Sequence, residues 1–155
     1  MKQDKAYIVK WFGPFFSREE LEDWEVLHDF KSQLYLLHGK KKYAKTRECY
    51  YCGMTTRTAY KRFKDANHHI GEIENRDHNI YVGHFTNLIP SAKDIKLVEK
   101  LLTSYLDYFI GRKALLNKRI FMPQIAIMRS ASSIVGITVG HDENTNEHPL
   151  ILRPI

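Results

Sequence analysis

The alternation of short aromatic-rich runs with amphipathic segments predicts an α+β chain, a small antiparallel or mixed β-sheet flanked by helices. Three observations carry that expectation. The runs SQLYLLHG and ECYYCGM flank the basic, turn-prone KKKYAKTR, the pattern of a β-hairpin with a long loop. In SAKDIKLVEKLLTSYLDYF, the residues Ile95, Val98, Leu101, Leu102, Tyr105, Leu106 and Phe109 recur at helical spacing. The 155 residues contain no internal repeat, low-complexity tract or linker, so a single domain over 1–155 is expected.

Taken in order, AYIVKWFGPF reads as a strand closed by a Gly-Pro turn. SREELEDWEVLHDF follows as a short amphipathic helix, with Ser17 as N-cap and Glu20 completing a capping-box pattern. After the hairpin, TRTAYKRFKDA has helical composition and HNIYVGHF reads as a third strand. The long helix over 91–109 opens on a second capping signal, Ser91 with Asp94. KRIFMPQIAIM and SSIVGITVG then read as a further hairpin, followed by the polar HDENTNEH loop and PLILRPI.

Composition narrows the function classes. No run is long and apolar enough to span a bilayer, and MKQDKAYIVKWFG lacks the apolar region and cleavage site of a secretory signal, so a cytoplasmic protein with no membrane partner is expected. The formal charge is +6, which suits a polyanionic partner better than a basic one. The cations cluster: Lys40, Lys41, Lys42, Lys45 and Arg47 crowd one loop, and Arg57, Lys61, Arg62 and Lys64 follow in one helical segment. That loop is a candidate contact for nucleic-acid phosphates, against the plainer reading of a solvated hairpin tip.

Cys49 and Cys52 form a C-x-x-C with His68 and His69 nearby, so a zinc or dithiol site has to be weighed. The pair sits in a strand-like run rather than at a helix N-terminus, and strand residues three apart point to opposite faces. Two buried structural cysteines are therefore expected. The same alternation puts Tyr51 on the face of Cys49 and Gly53, and a hairpin in suitable register brings Tyr35 beside it. Arg62 falls at the edge of its helix's apolar face, placed either to bind a phosphate or to snorkel to water. Glu99 flanks the apolar stripe of the long helix, where a carboxylate calls for a partner, either Arg62 in a salt bridge or a hard divalent metal.

These residues come in a telling order. Tyr35 ending QLY, Tyr51 to Gly53 in YCG, Arg62 in YKRF, Glu99 in LVEKLL and Asn117 in ALLNKR together resemble the GIY-YIG nuclease family. The resemblance covers a core of about 33–119, leaving an N-terminal extension, 1–32, and a C-terminal β extension, 120–155, outside it. The chain departs from the family's pattern in having Gln33-Leu34 before the first tyrosine, Cys52 between Tyr51 and Gly53, a longer hairpin loop, and Ala66 where members often carry a histidine. His68 and His69 are the candidates to serve in place of that histidine.

The resemblance implies a metal-dependent endonuclease that hydrolyses nucleic-acid phosphodiesters, DNA before RNA. It implies Glu99 as ligand to a divalent cation, Mg²⁺ or Mn²⁺, and Arg62 on the phosphate oxygens. Tyr35 is implied as base for the attacking water, Tyr51 as the group that positions it, and Asn117 as an anchor of the site wall. Cutting both strands of a duplex with one small site would favour a homodimer or two successive nicks. The alternatives are a catalytically degenerate nucleic-acid-binding module on the same scaffold, and a zinc or thiol protein built on the two cysteines.

Overall fold

The computed structural model describes residues 7–31, 34–44, 47–117, 137–138 and 151–152. Strands β1 (Val9–Phe15), β2 (Leu34–Lys40), β3 (Glu48–Met54) and β4 (Asn79–Phe85) form one sheet in the order β1-β4-β2-β3. Every pairing in it is antiparallel. The helices are α1 (Arg18–Leu27), α2 (Ala59–Phe63) and α3 (Ala92–Ile110), with short 3-10 turns over 69–72, 75–77 and 112–114. The α+β class expected from the sequence is thus present. Of the C-terminal extension, the described part is an antiparallel pair, β5 (Ile137–Thr138) with β6 (Ile151–Leu152). The strand expected at 118–128 lies outside the described residues. No described helix is long and apolar enough to cross a membrane.

β2 and β4 are interior strands, so their side chains are covered on both faces. On one face Tyr35, Leu37, Cys49, Ile80 and Val82 pack against Leu21 of α1, Ala59 and Phe63 of α2, and Ile70 and Ile73 of the 3-10 segment. On the other face Val9, Trp11, Leu34 and Cys52 pack against Ile95, Val98, Leu102 and Leu106 of α3. The period-2 alternation of the strands and the helical spacing of α3 are what fill these two layers. Tyr7, just ahead of β1, ties the sheet to α3 by donating to Asp94 at its start, at 2.7 Å.

Three boundaries differ from the sequence reading, each for a local reason. The first strand does not stop at Gly13-Pro14 but runs on to Phe15, with a register shift between Phe12 and Phe15. An edge strand accommodates this, since Gly13 takes φ +123 and proline's missing N–H needs no ladder partner there. α1 ends at Leu27 rather than Phe30, because Asp29 turns left-handed at φ 46 and sends Phe30 back onto Trp24 and Phe12. α2 is five residues long instead of spanning 56–66. Thr58 caps it by accepting from Lys61 N–H, and past Phe63 the chain leaves the helix and turns left-handed at Asn67, φ 60.

The hairpin register places Tyr35 opposite Gly53 and Leu37 opposite Tyr51, so both tyrosines share a face. Gly53 is required by this pairing. A Cβ at Gly53 would run into the hydroxyl and ring of Tyr35, which lie against the bare backbone. Gly53→Ala is therefore expected to destabilise the fold by about 1–3 kcal/mol, the usual cost of overpacking. Urea denaturation checks this, and Tyr35→Leu in the same chain should recover part of the loss.

Candidate functional site

The site grows from the end of the β2–β3 hairpin at which Tyr35 and Gly53 are paired. Tyr35 is fully buried, and its ring lies 6.0 Å from that of Tyr51, edge-on to Phe63 of α2 at 5.1 Å. Its hydroxyl meets Nε2 of the buried His68 at 2.9 Å. The other ring nitrogen of His68, Nδ1, accepts from the N–H of Ile70 at 3.1 Å. An accepting Nδ1 leaves the ring proton on Nε2, so His68 donates to the Tyr35 oxygen. The Tyr35 hydroxyl thus keeps its own proton for another acceptor, and Tyr51 lies beside it on the same face. His68, which does not match the family's pattern, is thus in direct contact with the first tyrosine.

Tyr51 is half-buried and has His69 tilted against its ring at 4.5 Å and His68 edge-on at 5.7 Å. His69 itself is held by Glu72 through Nδ1. Burial pushes the Tyr35 hydroxyl far above its ordinary pKa, reinforced by the neighbouring Tyr51, while Arg62 opposes the shift. Burial also raises Tyr51, and the charge of Glu99 adds to the rise, while Tyr35 and Arg62 pull against it without cancelling it. The two tyrosines are therefore not equivalent. Tyr51 is the more open of the two, whereas Tyr35 is sealed in the core.

Arg62 stands at the end of α2, partly exposed, with Nη1 donating to Asp65. Asp65 also takes a bond from Arg57 at 2.5 Å, and these two guanidiniums hold its carboxyl below the usual range. The salt bridge from Arg62 to Glu99 does not form. Burial disfavours the Arg62 charge, yet Asp65 and the fields of Tyr35 and Tyr51 together hold it on.

Glu99 lies half-buried on α3, beneath the opposite face of the sheet. Its charge nevertheless acts on both Tyr51 and Cys52. β3 is the sheet's edge strand, where groups from the two faces approach each other without a further strand between them. Burial raises the Glu99 pKa against the pull of Lys96, Lys100 and Arg62. Among the described residues no cation sits within ion-pair distance of it, and no cluster of three or more metal-ligating side chains forms. A lone, uncomfortable carboxylate of this kind fits a hard divalent ion that keeps most of its water and takes its remaining ligands from a phosphate.

Asn117 is buried and closes the site's wall at the outer edge of β3. Its Oδ1 accepts from Cys52 N–H at 3.0 Å and its Nδ2 donates to Cys52 carbonyl at 2.7 Å. Arg112 holds the Asn117 carbonyl in turn, at 2.7 Å. The cysteines themselves point to opposite faces, Cys49 into one core and Cys52 into the other, and burial raises both thiols. They cannot converge on one metal or join each other, which removes the geometry a zinc or dithiol site needs.

The basic loop sits elsewhere. It joins the other end of the hairpin, six residues from Tyr35, a span of about 20 Å along the strand. Lys41 N–H bonds Arg47 carbonyl and Lys42 N–H bonds Glu72 carbonyl, both at 2.8 Å, while the Arg47 guanidinium reaches the Lys113 carbonyl. Lys40 lines an open cavity with Tyr43, Glu74, Arg76 and Asp77, so acids offset the cations there. Lys45 lies outside the described residues.

His68 supplies a test of this packing. The unfolded ring takes up a proton near its ordinary 6.5, whereas burial first, with Arg62 and His69, holds the folded one down to about 4. Between those values the unfolded state binds more protons, so stability is expected to fall as pH drops through that window. Thermal melts from pH 7 to 4 should show this fall, and His68→Gln should flatten it. Comparison of the chain with family profiles, curated sequences and solved structures yields no match.

Proposed function

We propose that this protein is a metal-dependent endonuclease that hydrolyses nucleic-acid phosphodiesters, with DNA the preferred polymer. The observation that carries the reading is the meeting at β3 of four chemistries a phosphodiesterase uses. A half-buried tyrosine has a fully buried one packed beside it, and the charges of a guanidinium and of a carboxylate outside any ion pair are felt at its hydroxyl.

In this reading Glu99 holds a divalent cation, Mg²⁺ or Mn²⁺, which supplies Lewis-acid polarisation of the phosphate when bound. Arg62 donates in pairs to the non-bridging oxygens, where negative charge builds in the transition state. Its exchange from Asp65 to phosphate costs little, because Arg57 remains to satisfy that carboxylate. Tyr51 faces the attacking water. Tyr35 lies buried beside it, held by His68, and this assignment reverses the roles that the family resemblance implies for the two tyrosines. A tyrosine works as a base near neutrality only when nearby cations outweigh its burial; Arg62 pulls Tyr51 that way, and a cation held at Glu99 would offset the charge that opposes it. Asn117 keeps the Cys52 peptide, between Tyr51 and Gly53, in place.

The second reading is a binding module on the same scaffold that does not cut. It is favoured by the engagement of Arg62 with Asp65. Incubation of the protein with supercoiled plasmid and with labelled single-stranded DNA and RNA, in Mg²⁺, Mn²⁺ or EDTA, separates the two. Metal-dependent cutting is expected, reduced by about 10²–10³-fold in Arg62→Ala, the scale of a lost transition-state donor, and abolished in Glu99→Ala. The rate should rise with pH in wild type and lose that dependence in Tyr51→Phe. Salt-sensitive binding without cutting would establish the binding module instead.

A further inference from the structure

α2 carries Arg62 but is far too short to hold itself. At five residues it is well below the roughly 12–15 at which an isolated helix becomes even marginal. Its first-turn amides have no intrahelical partners and need acceptors from elsewhere. Thr58 Oγ1 takes the Lys61 N–H at 3.3 Å. The two preceding donors go to α1: Glu25 Oε1 accepts from Ala59 N–H at 2.8 Å and Oε2 from Tyr60 N–H at 3.2 Å. Glu25 is only 3 % exposed, one helical turn beyond the buried Leu21 on the same face of α1. A carboxylate is costly to bury, and here each of its oxygens accepts from the N-terminus of the same short helix. Negative charge at that end of a helix also complements its dipole.

We propose that Glu25 is a positioning residue for Arg62, clamping the start of α2 so that the guanidinium at its far end is presented to Tyr51 and the phosphate. The assignment rests on the nuclease reading and extends it to α1, which lies outside the segment that resembles the family. Thr58 carbonyl accepts the N–H of Arg62 at 3.1 Å, so the clamped turn and the arginine are joined by one backbone bond. Phe63, the next residue, fixes the roll of the helix by inserting beside Tyr35. With Phe63 seated and the N-terminus held, the turn that carries Arg62 is fixed at both ends. Releasing the N-terminus lets the turn fray and swing the guanidinium away from the site.

The test combines kinetics with amide hydrogen exchange on wild type, Glu25→Ala, Glu25→Gln, Arg62→Ala and the double variant Glu25→Ala with Arg62→Ala. The substrate is a labelled DNA duplex in Mn²⁺. Glu25→Ala is expected to lower kcat by about 10- to 100-fold, the scale of a misplaced catalytic group, with KM little changed. Glu25→Gln, which keeps one accepting oxygen, should recover part of that loss. The double variant should be no slower than Arg62→Ala alone, since Glu25 acts through Arg62. Exchange of the Ala59 and Tyr60 amides should quicken in Glu25→Ala, while the amides of β2 and β3 stay protected. Additive losses in the double variant, unchanged exchange at Ala59 and Tyr60, or exchange quickened across the whole sheet would each overturn the assignment. A wild type that cuts no substrate overturns the nuclease reading and Glu25's catalytic role together, whereas cutting with additive losses overturns only the latter.

Discussion

The close approach of the Tyr35 ring to the bare backbone of Gly53 is the constraint on which the rest of the site depends. β2 is paired on both sides, so Tyr35 cannot move with an edge. Its ring fills the volume that a side chain at residue 53 would need. That position delivers the hydroxyl to His68, whose tautomer is set by the Ile70 amide. It also seats Phe63 edge-on, which places α2 and with it Arg62. One cross-strand pair thus orients a histidine, a tyrosine and an arginine drawn from different elements.

Electrostatics adds an asymmetry that sterics alone would not. Burial works against charge at Tyr35, Tyr51 and Glu99 alike, and Arg62 is the cation whose field opposes it at all three. Arg62 is therefore common to both layers of the protein, although Glu99 belongs to α3 and the tyrosines to the opposite face. Such sharing is possible at β3 because it is the edge of the sheet. In a strand buried on both sides, the same residues would be separated by an apolar layer.

Much of this was legible in the sequence because it rests on short-range periodicity. The strand alternation put Tyr35 and Tyr51 on one face and the two cysteines on opposite faces, and the Ser91–Asp94 signal marked the start of α3. The departures come from contacts that periodicity does not encode. α2 is shorter than its composition suggests because Thr58 caps it late and the chain turns left-handed by Asn67. Asp65 competes for Arg62, a pairing that the i, i+3 spacing alone could have signalled. His68 reaches Tyr35 through a loop, and Glu25 reaches α2 from a helix more than thirty residues earlier in the chain. Long-range polar contacts of this kind leave no pattern in one sequence.

The amide of Asn117 does for β3 what a neighbouring strand would do. It offers one donor and one acceptor to the outward-facing groups of Cys52, and Leu116 N–H takes the Tyr50 carbonyl beside it at 2.7 Å. An open edge invites another chain to continue the sheet. Here the stretch of edge next to the tyrosines is already stitched to its own chain, so two copies cannot merge through it into one continuous sheet. The surface beside the tyrosines is closed to a partner that arrives by backbone pairing.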